Sequence, residues 1–287
     1  MLRRSLVAVA ALAAALVAVS LSAAAGRTPA RTHAFPSRIV SLSPTITEDL
    51  FAIGAGKQVV AVDDQSDYPK RAPRTALTGL APNVEAIAAY KPDLVLLSYP
   101  GPAVAQMRSL GIRVEIEPAV SNLAEEYEQI RGIARLTGHV AKARTLIHSM
   151  QVQLKRTIQS VPKARRHLRV YHELDQTYYS ATSDTFIGRI YRLFGFRNIA
   201  DAADTAHTGY PQLSGEYILQ QNPQIVVLAD SKCCGQTAKT VAARPGWGTI
   251  AAVENRRVID VDDSVASRWG PRVVQFVKAV AAIAKRK

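Results

Sequence analysis

The chain has 287 residues, 48% of them hydrophobic and 21% charged, with a formal charge of +13. That composition is globular, with room for two ordinary domains that each bury a core. Lys and Arg are scattered, with no Arg-rich helix and no basic strand interleaved with aromatics, so the charge favours an anionic membrane face or ligand and argues against nucleic acid.

The N-terminus carries Arg3 and Arg4, an apolar stretch from Leu6 to Leu21, and Ser22-Ala23-Ala24-Ala25-Gly26. These are the three regions of an export signal over residues 1–25, cleaved after Ala25 or Ala24. An uncleaved anchor is the alternative, because the stretch is long for such a signal. No cysteine follows it, so the expectation is an exported protein, periplasmic or on the cell surface, without a lipid anchor on an N-terminal cysteine. Residues 26–36 read as a polar tether.

Arg38-Ile39-Val40-Ser41-Leu42 reads as a first buried strand, and Ser43-Pro44-Thr45 opens a helix with Ile46, Leu50 and Ile53 at helical spacing. Ser43 stands before that helix, where an anion can bind, but has no base partner in sequence. Val59-Val60-Ala61-Val62 is a second strand, followed by a polar loop over 63–69. A unit then occurs twice. Glu85-x-Ile87 leads to Lys91-Pro92-Asp93 and Leu94-Val95-Leu96-Leu97; Glu216-x-Ile218 leads to Asn222-Pro223-Gln224 and Ile225-Val226-Val227-Leu228. Thr78-Gly79 and Thr208-Gly209 precede the two copies. Each reads as a short helix stopped by proline and feeding a strand buried on both faces.

Between the copies lie a helix around 103–110, a strand over 112–116, and near-continuous helix over 123–136 and 140–158. About twenty helical residues reach roughly 30 Å, enough to join two lobes. A strand at Arg169-Val170-Tyr171, a helix over 183–194, a broken helix over 241–252, the strand Val258-Ile259-Asp260-Val261 and a closing helix over 271–284 complete the pattern. The fold class expected is α/β: two Rossmann-like lobes with mainly parallel sheets, joined by one long rigid helix. The lobes are placed at 37–137 and 163–287, with the linker helix within 138–162, and paired lobes imply a ligand in the cleft between them.

Cys233 and Cys234 are adjacent and sit beside the strand of the second copy. Neighbouring cysteines close only a strained eight-membered ring, so the reading is of structural or incidental thiols in a loop, with a bond to another chain or a place at the cleft rim as alternatives.

Several motifs together carry a resemblance. They are Arg38-Ile39-Val40-Ser41-Leu42-Ser43-Pro44 with Thr47-Glu48, Ser66-Asp67-Tyr68-Pro69, Asn83-Val84-Glu85 with Lys91-Pro92-Asp93, Tyr210-Pro211-Gln212-Leu213-Ser214 with Glu216, and Arg268 with Pro271-Arg272. From Arg38 to the C-terminus the chain resembles the extracytoplasmic binding proteins of ATP-driven importers for vitamin B12, ferric siderophores and haem, most of all the vitamin B12 branch. The resemblance implies a class III periplasmic binding protein: a monomer that captures cobalamin or a ferric siderophore, with haem as the alternative, and delivers it to the permease of an ABC importer. It implies no catalytic residue, resident metal or cofactor, the metal being part of the cargo. Glu85 and Glu216 take the positions that dock onto permease arginines, a two-point electrostatic grip. Tyr68 and Tyr210 match aromatics that meet the ligand, Tyr179 matches an aromatic lining the cleft, Arg268 a cleft arginine, and Trp269 is a neighbouring wall. Two positions depart: Gly79 stands where that branch has tryptophan, and Ser264 where it has aspartate.

Other chemistries lack their residues. His33, His139, His148, His167, His172 and His207 include no pair with zinc-site spacing, and neither a Gly-x-Ser-x-Gly elbow nor a phosphate loop is present. A haem ligand would have to come from Tyr68, Tyr179, Tyr210 or His207.

Overall fold

The computed structural model describes residues 35–286, so the export signal over 1–25 and most of the tether over 26–36 lie outside the described residues. Four strands, β1 (Ile39–Leu42), β2 (Val59–Val62), β3 (Leu94–Leu97) and β4 (Val114–Ile116), form a parallel sheet in the order β2-β1-β3-β4. A second parallel sheet has β5 (Arg169–Glu173), β6 (Arg197–Asn198), β7 (Ile225–Leu228) and β8 (Val258–Asp260) in the order β6-β5-β7-β8. The two orders are the same, and β1, β3 and β7 are buried throughout, as strands covered by helices on both faces must be.

Helices flank these sheets: α1 (Pro44–Ala52), α2 (Val84–Ala88), α3 (Pro102–Ser109), α4 (Leu123–Thr137), α5 (Val140–Gln159), α6 (Phe186–Leu193), α7 (Gly215–Gln221), α8 (Ser231–Cys234), α9 (Ala238–Ala242), α10 (Ala251–Glu254), α11 (Asp263–Ser267) and α12 (Val273–Ala284). The expected α/β fold is therefore present, with local differences. The helix read as broken over 241–252 is broken at Pro245-Gly246, where Gly246 takes φ 79°, but it begins earlier, with α9 at Ala238, and resumes through a 3₁₀ turn into α10. α6 starts at Phe186, where the Thr185 hydroxyl accepts from Gly188 N and caps it. The two-residue β6 and the short α11 are too brief to leave a periodic signal.

The sequence repeat is a structural repeat. Glu216 lies 131 residues after Glu85, and the same offset relates Arg169 to Arg38, Ser214 to Asn83, Asn222 to Lys91 and Gln224 to Asp93. Asn83 caps α2 and Ser214 caps α7. Lys91 and Asn222 turn the chain with φ of 48° and 44°. Arg38 donates to the carbonyls of Tyr90 and Lys91, and Arg169 to those of Gln221 and Asn222. Each guanidinium thereby satisfies the open carbonyls at a helix end and pins it to the first strand of its sheet.

All strands of the first sheet precede those of the second, so the chain passes between sheets once, through α4 and α5. Gly138, at φ 82°, ends α4 and lets α5 turn back against it. Ala143, Ile147, Met150 and Leu154 form the buried face of α5. They share one apolar cluster with Ile39 and Leu94 of the first sheet, Val170 and Ile225 of the second, and Val277 and Val280 of α12. At roughly 1.5–3 kcal/mol for each large side chain buried, this packing makes the joint a solid one.

Candidate ligand cleft

In an open parallel sheet, ligands sit at the strands' C-terminal ends where the order reverses. In the first sheet that point lies between β1 and β3. Ser43 follows β1 and Ser98 follows β3, and the Ser98 hydroxyl donates to Ser43 Oγ at 2.9 Å. Here opens a cavity of about 350 Å³, walled by Leu42, Asp63, Gly79, Leu80, Tyr99, Arg268 and Trp269 among others. A chain of buried hydroxyls anchors its Asp63 wall. Thr47 donates to Ser41 Oγ at 2.9 Å and meets Ser66 Oγ at 2.9 Å, and Ser66 donates to the Asp63 carboxylate. Burial pushes the Asp63 carboxyl up, with the Ser66 hydroxyl opposing. The network holds the root of the loop over 63–69, which carries Tyr68 and a cis Tyr68-Pro69 bond.

The corresponding point of the second sheet, between β5 and β7, is filled. Glu173 ends β5 fully buried, and Arg244 binds it bidentately at 2.5 and 2.6 Å. The same guanidinium lies 4.7 Å from the Trp247 ring centroid. Asp230, which follows β7, is also fully buried, with neither carboxylate oxygen hydrogen-bonded. Burial and then the neighbouring Glu173 charge push its carboxyl up to about 7.

An ion network joins the two halves beside the cavity. Arg268 donates to Glu48 Oε1 and Asp67 Oδ1, both at 2.9 Å, and to the Gln65 carbonyl at 2.9 Å. Arg272 donates to Glu48 at 2.7 and 2.6 Å, and its guanidinium carbon lies 4.4 Å from the Tyr68 ring centroid. Lys232 donates to Asp67 Oδ2 at 2.8 Å. Burial works against the Asp67 carboxylate, yet the Lys232 and Arg268 donors hold its carboxyl at about 2.

A second cavity of about 330 Å³ lies between Val120 and Ser121 on one side and Thr182, His207 and Tyr210 on the other. Asp204 shapes its wall by accepting from Thr208 N at 2.9 Å and Gly209 N at 2.7 Å. Partial burial raises the Tyr210 phenol pKa, and the adjacent Tyr99 phenol adds to it. Tyr99, which follows β3, lines the first cavity, and Tyr210, from the second half, lines the second. Nothing in the sequence reading singled out Tyr99; its one signal is its place two residues beyond the apolar run that ends at Leu97.

The residues expected from sequence are placed as follows. Arg268 and Trp269 line the first cavity and Tyr210 the second. Arg268 already holds two carboxylates and a carbonyl, and the Trp269 indole N–H donates to Gln129 at 3.0 Å. Tyr68 and Tyr179, 42% and 41% exposed, line neither cavity. Tyr68 lies against Arg272, and Tyr179 forms a backbone bridge with Gln212. Glu85 and Glu216 are exposed in the first turns of α2 and α7. Gly79 lies so close to β1 that a Cβ there would strike the Leu42 carbonyl oxygen, so the backbone itself excludes a tryptophan.

The cysteines differ from expectation. They are linked to each other and lie on the single turn α8, not as thiols in a loop. Their Cα atoms are 3.8 Å apart, the span of a trans peptide, around which the ring closes. Among the described residues no group of three or more His, Cys, Asp and Glu could hold a metal ion, and no helix is long and apolar enough to cross a membrane.

Comparison with known proteins agrees with this architecture. The periplasmic binding protein family model matches residues 39–265. The uncharacterized ABC transporter substrate-binding lipoprotein YvrC of Bacillus subtilis is 35% identical, over 86% of this chain and 79% of its own length. A cobalamin-binding protein of Halobacterium salinarum is 31% identical, over 84% of this chain and 67% of its own. The crystal structure of the periplasmic heme-binding protein HutB of Vibrio cholerae superposes with a TM-score of 0.76 at 25% identity, covering 86% of this chain and 98% of that one. With the family model spanning every strand of both sheets, the chain belongs to the periplasmic binding protein family.

Proposed function

We propose that this protein is the exported, non-catalytic receptor of an ABC importer, that it captures cobalamin in the cleft between its two sheets, and that it presents the cargo to the permease. The observation that carries the reading is the pair of cavities at the cleft, bordered by Tyr99, Tyr210 and Trp269. Aromatic faces bury area with little loss of side-chain freedom and suit a broad planar ligand. Tyr68, held over Arg272, and Tyr179 stand as further exposed rings for a ligand larger than either cavity. The relative named for cobalamin supports this choice over a ferric siderophore. Haem is the second reading, favoured by the phenols of Tyr99 and Tyr210 lining the two cavities and by the HutB likeness.

Docking rests on Glu85 and Glu216. Each is exposed in the first turn of an equivalent helix and makes no ion pair among the described residues. Two free carboxylates related by the internal repeat offer cationic partners a fixed spacing and orientation. The test titrates the purified protein with cyanocobalamin, ferric siderophores and haemin, reading intrinsic fluorescence and the Soret band. Tight cyanocobalamin binding that weakens at least tenfold in Tyr68→Ala and Tyr210→Ala supports the reading; a Soret shift with tight haemin binding transfers it to haem. Glu85→Ala/Glu216→Ala should bind ligand normally and lose uptake, and retained uptake removes the docking assignment.

A further inference from the structure

Ligand capture gives the cysteine pair no role, and its surroundings supply one. α8 is four residues long, a single turn that intrinsic propensity does not sustain. Asp263 holds its start, accepting from Lys232 N at 3.0 Å and Cys233 N at 2.7 Å. Ser231 Oγ ties it to the Val261 carbonyl at 3.1 Å, and the disulfide closes its end. From this turn the Lys232 side chain crosses to Asp67. Asp67 belongs to the loop after β2 and precedes Tyr68, so α8 is a clip from the second half onto the loop that carries a candidate ligand contact.

We infer that Cys233–Cys234 is a thiol–disulfide exchange site for low-molecular-weight dithiols, and that its oxidised form holds α8 so that Lys232 clips the loop over 63–69. Both cysteines are exposed and open to a small reagent. In the exchange, a thiolate of the dithiol attacks one cysteine sulfur, breaking the Cys233–Cys234 bond and releasing the other cysteine as thiolate. The reagent's second sulfur then displaces the first cysteine and closes its own disulfide. The dithiol is oxidised, the pair is reduced, and two protons end on the cysteine sulfurs. Opening the ring returns backbone freedom to two of the four residues of α8. The turn frays and Lys232 leaves Asp67. The Lys232 and Asp67 side chains are 54% and 20% exposed, and an ion pair of that kind shifts an equilibrium about 1.4- to fivefold.

The test uses the whole protein, without ligand, purified without reductant. Thiol titration in denaturant should find none before dithiothreitol and two after; the chain has no other cysteine to react. Hydrogen exchange of residues 63–69 should rise about 1.4- to fivefold on reduction, with β5 and β7 unchanged. Cys233→Ser/Cys234→Ser should match reduced protein whether or not reductant is present. In Lys232→Met, reduction should leave the loop unaltered. Two thiols before reduction, an unchanged loop, or the same change in Lys232→Met overturns the inference. No cargo enters the experiment, so its failure is separate from failure of the receptor reading.

Discussion

Glu48 offers the sharpest test of how the two halves are held. Its side chain is 1% exposed and accepts from Arg268 once and from Arg272 twice, while those arginines are 15% and 12% exposed. Removing one partner of a buried pair typically costs about 3–5 kcal/mol, because the remaining charge stays buried without compensation. Glu48→Gln keeps one carbonyl acceptor, worth about 1.5 kcal/mol when it bonds an arginine. It also relieves the charge that presses on Asp49 and Glu126. The expected net loss is about 1.5–3.5 kcal/mol, a fall in Tm of roughly 4–12 °C for a chain of this size. The loss should fall unevenly: Arg268 keeps Asp67 and the Gln65 carbonyl, whereas Arg272 keeps only the Tyr68 face and Asp262 at 4.0 Å. A double-mutant cycle by urea unfolding should therefore couple Glu48 to Arg272 more strongly than to Arg268, by about 1 kcal/mol or more. A Tm within about 1 °C of wild type, or equal coupling, would refute the reasoning from burial.

Asp49 and Glu126 are fully buried, and burial pushes both carboxyls upward first; a hydrogen bond from Glu126 opposes the rise at Asp49 while the Glu48 and Glu117 charges add to it, and at Glu126 the Asp49 charge adds to it. A raised folded pKa means that stability falls as pH rises above the ordinary carboxyl range, so Asp49→Asn should gain Tm over wild type between pH 5 and pH 8; a constant difference would contradict it. Asp230, raised to about 7, follows the same sign: its penalty develops from about pH 4 to pH 7, and Asp230→Asn should be near neutral at about pH 4 and more stable by roughly 1–3 kcal/mol at pH 8, allowing for screening. Gly79→Ala should cost about 1–3 kcal/mol through the Leu42 carbonyl contact, and a neutral thermal melt would show that the turn can move aside.

Much of the scaffold was legible because parallel strands buried on both faces must be written as continuous apolar runs, and Leu94–Leu97 and Ile225–Leu228 are such runs. The repeat was legible for a related reason: a helix stopped by proline before such a strand leaves few ways to compose the corner. What escaped were partners. Glu48 and Arg268 are 220 residues apart, and no local pattern announces that they meet; a positional likeness assigns Arg268 to the cleft without saying that two carboxylates already hold it. Tyr99 escaped because an aromatic two residues past a strand has no periodicity of its own. α8 escaped because one turn held by Asp263, some thirty residues later, has no helical signature either.

The repeat also explains which half forms the deeper part of the cleft. One corner geometry, pinned by Arg38 in one half and Arg169 in the other, builds both sheets with the same strand order. Each half therefore inherits a crevice where that order reverses. The second crevice is closed by Arg244 chelating Glu173 over Trp247, a plug with large desolvation costs already met by bidentate bonding. The first is left with short hydroxyl side chains, Ser43 and Ser98, and the small Gly79, so a cavity persists there. The first half thus supplies the cavity beneath the cleft, and Tyr210 and Arg268 of the second half line its edges. The asymmetry comes from different side chains at the strand ends, while the strand order and the pinned corner are shared by both halves.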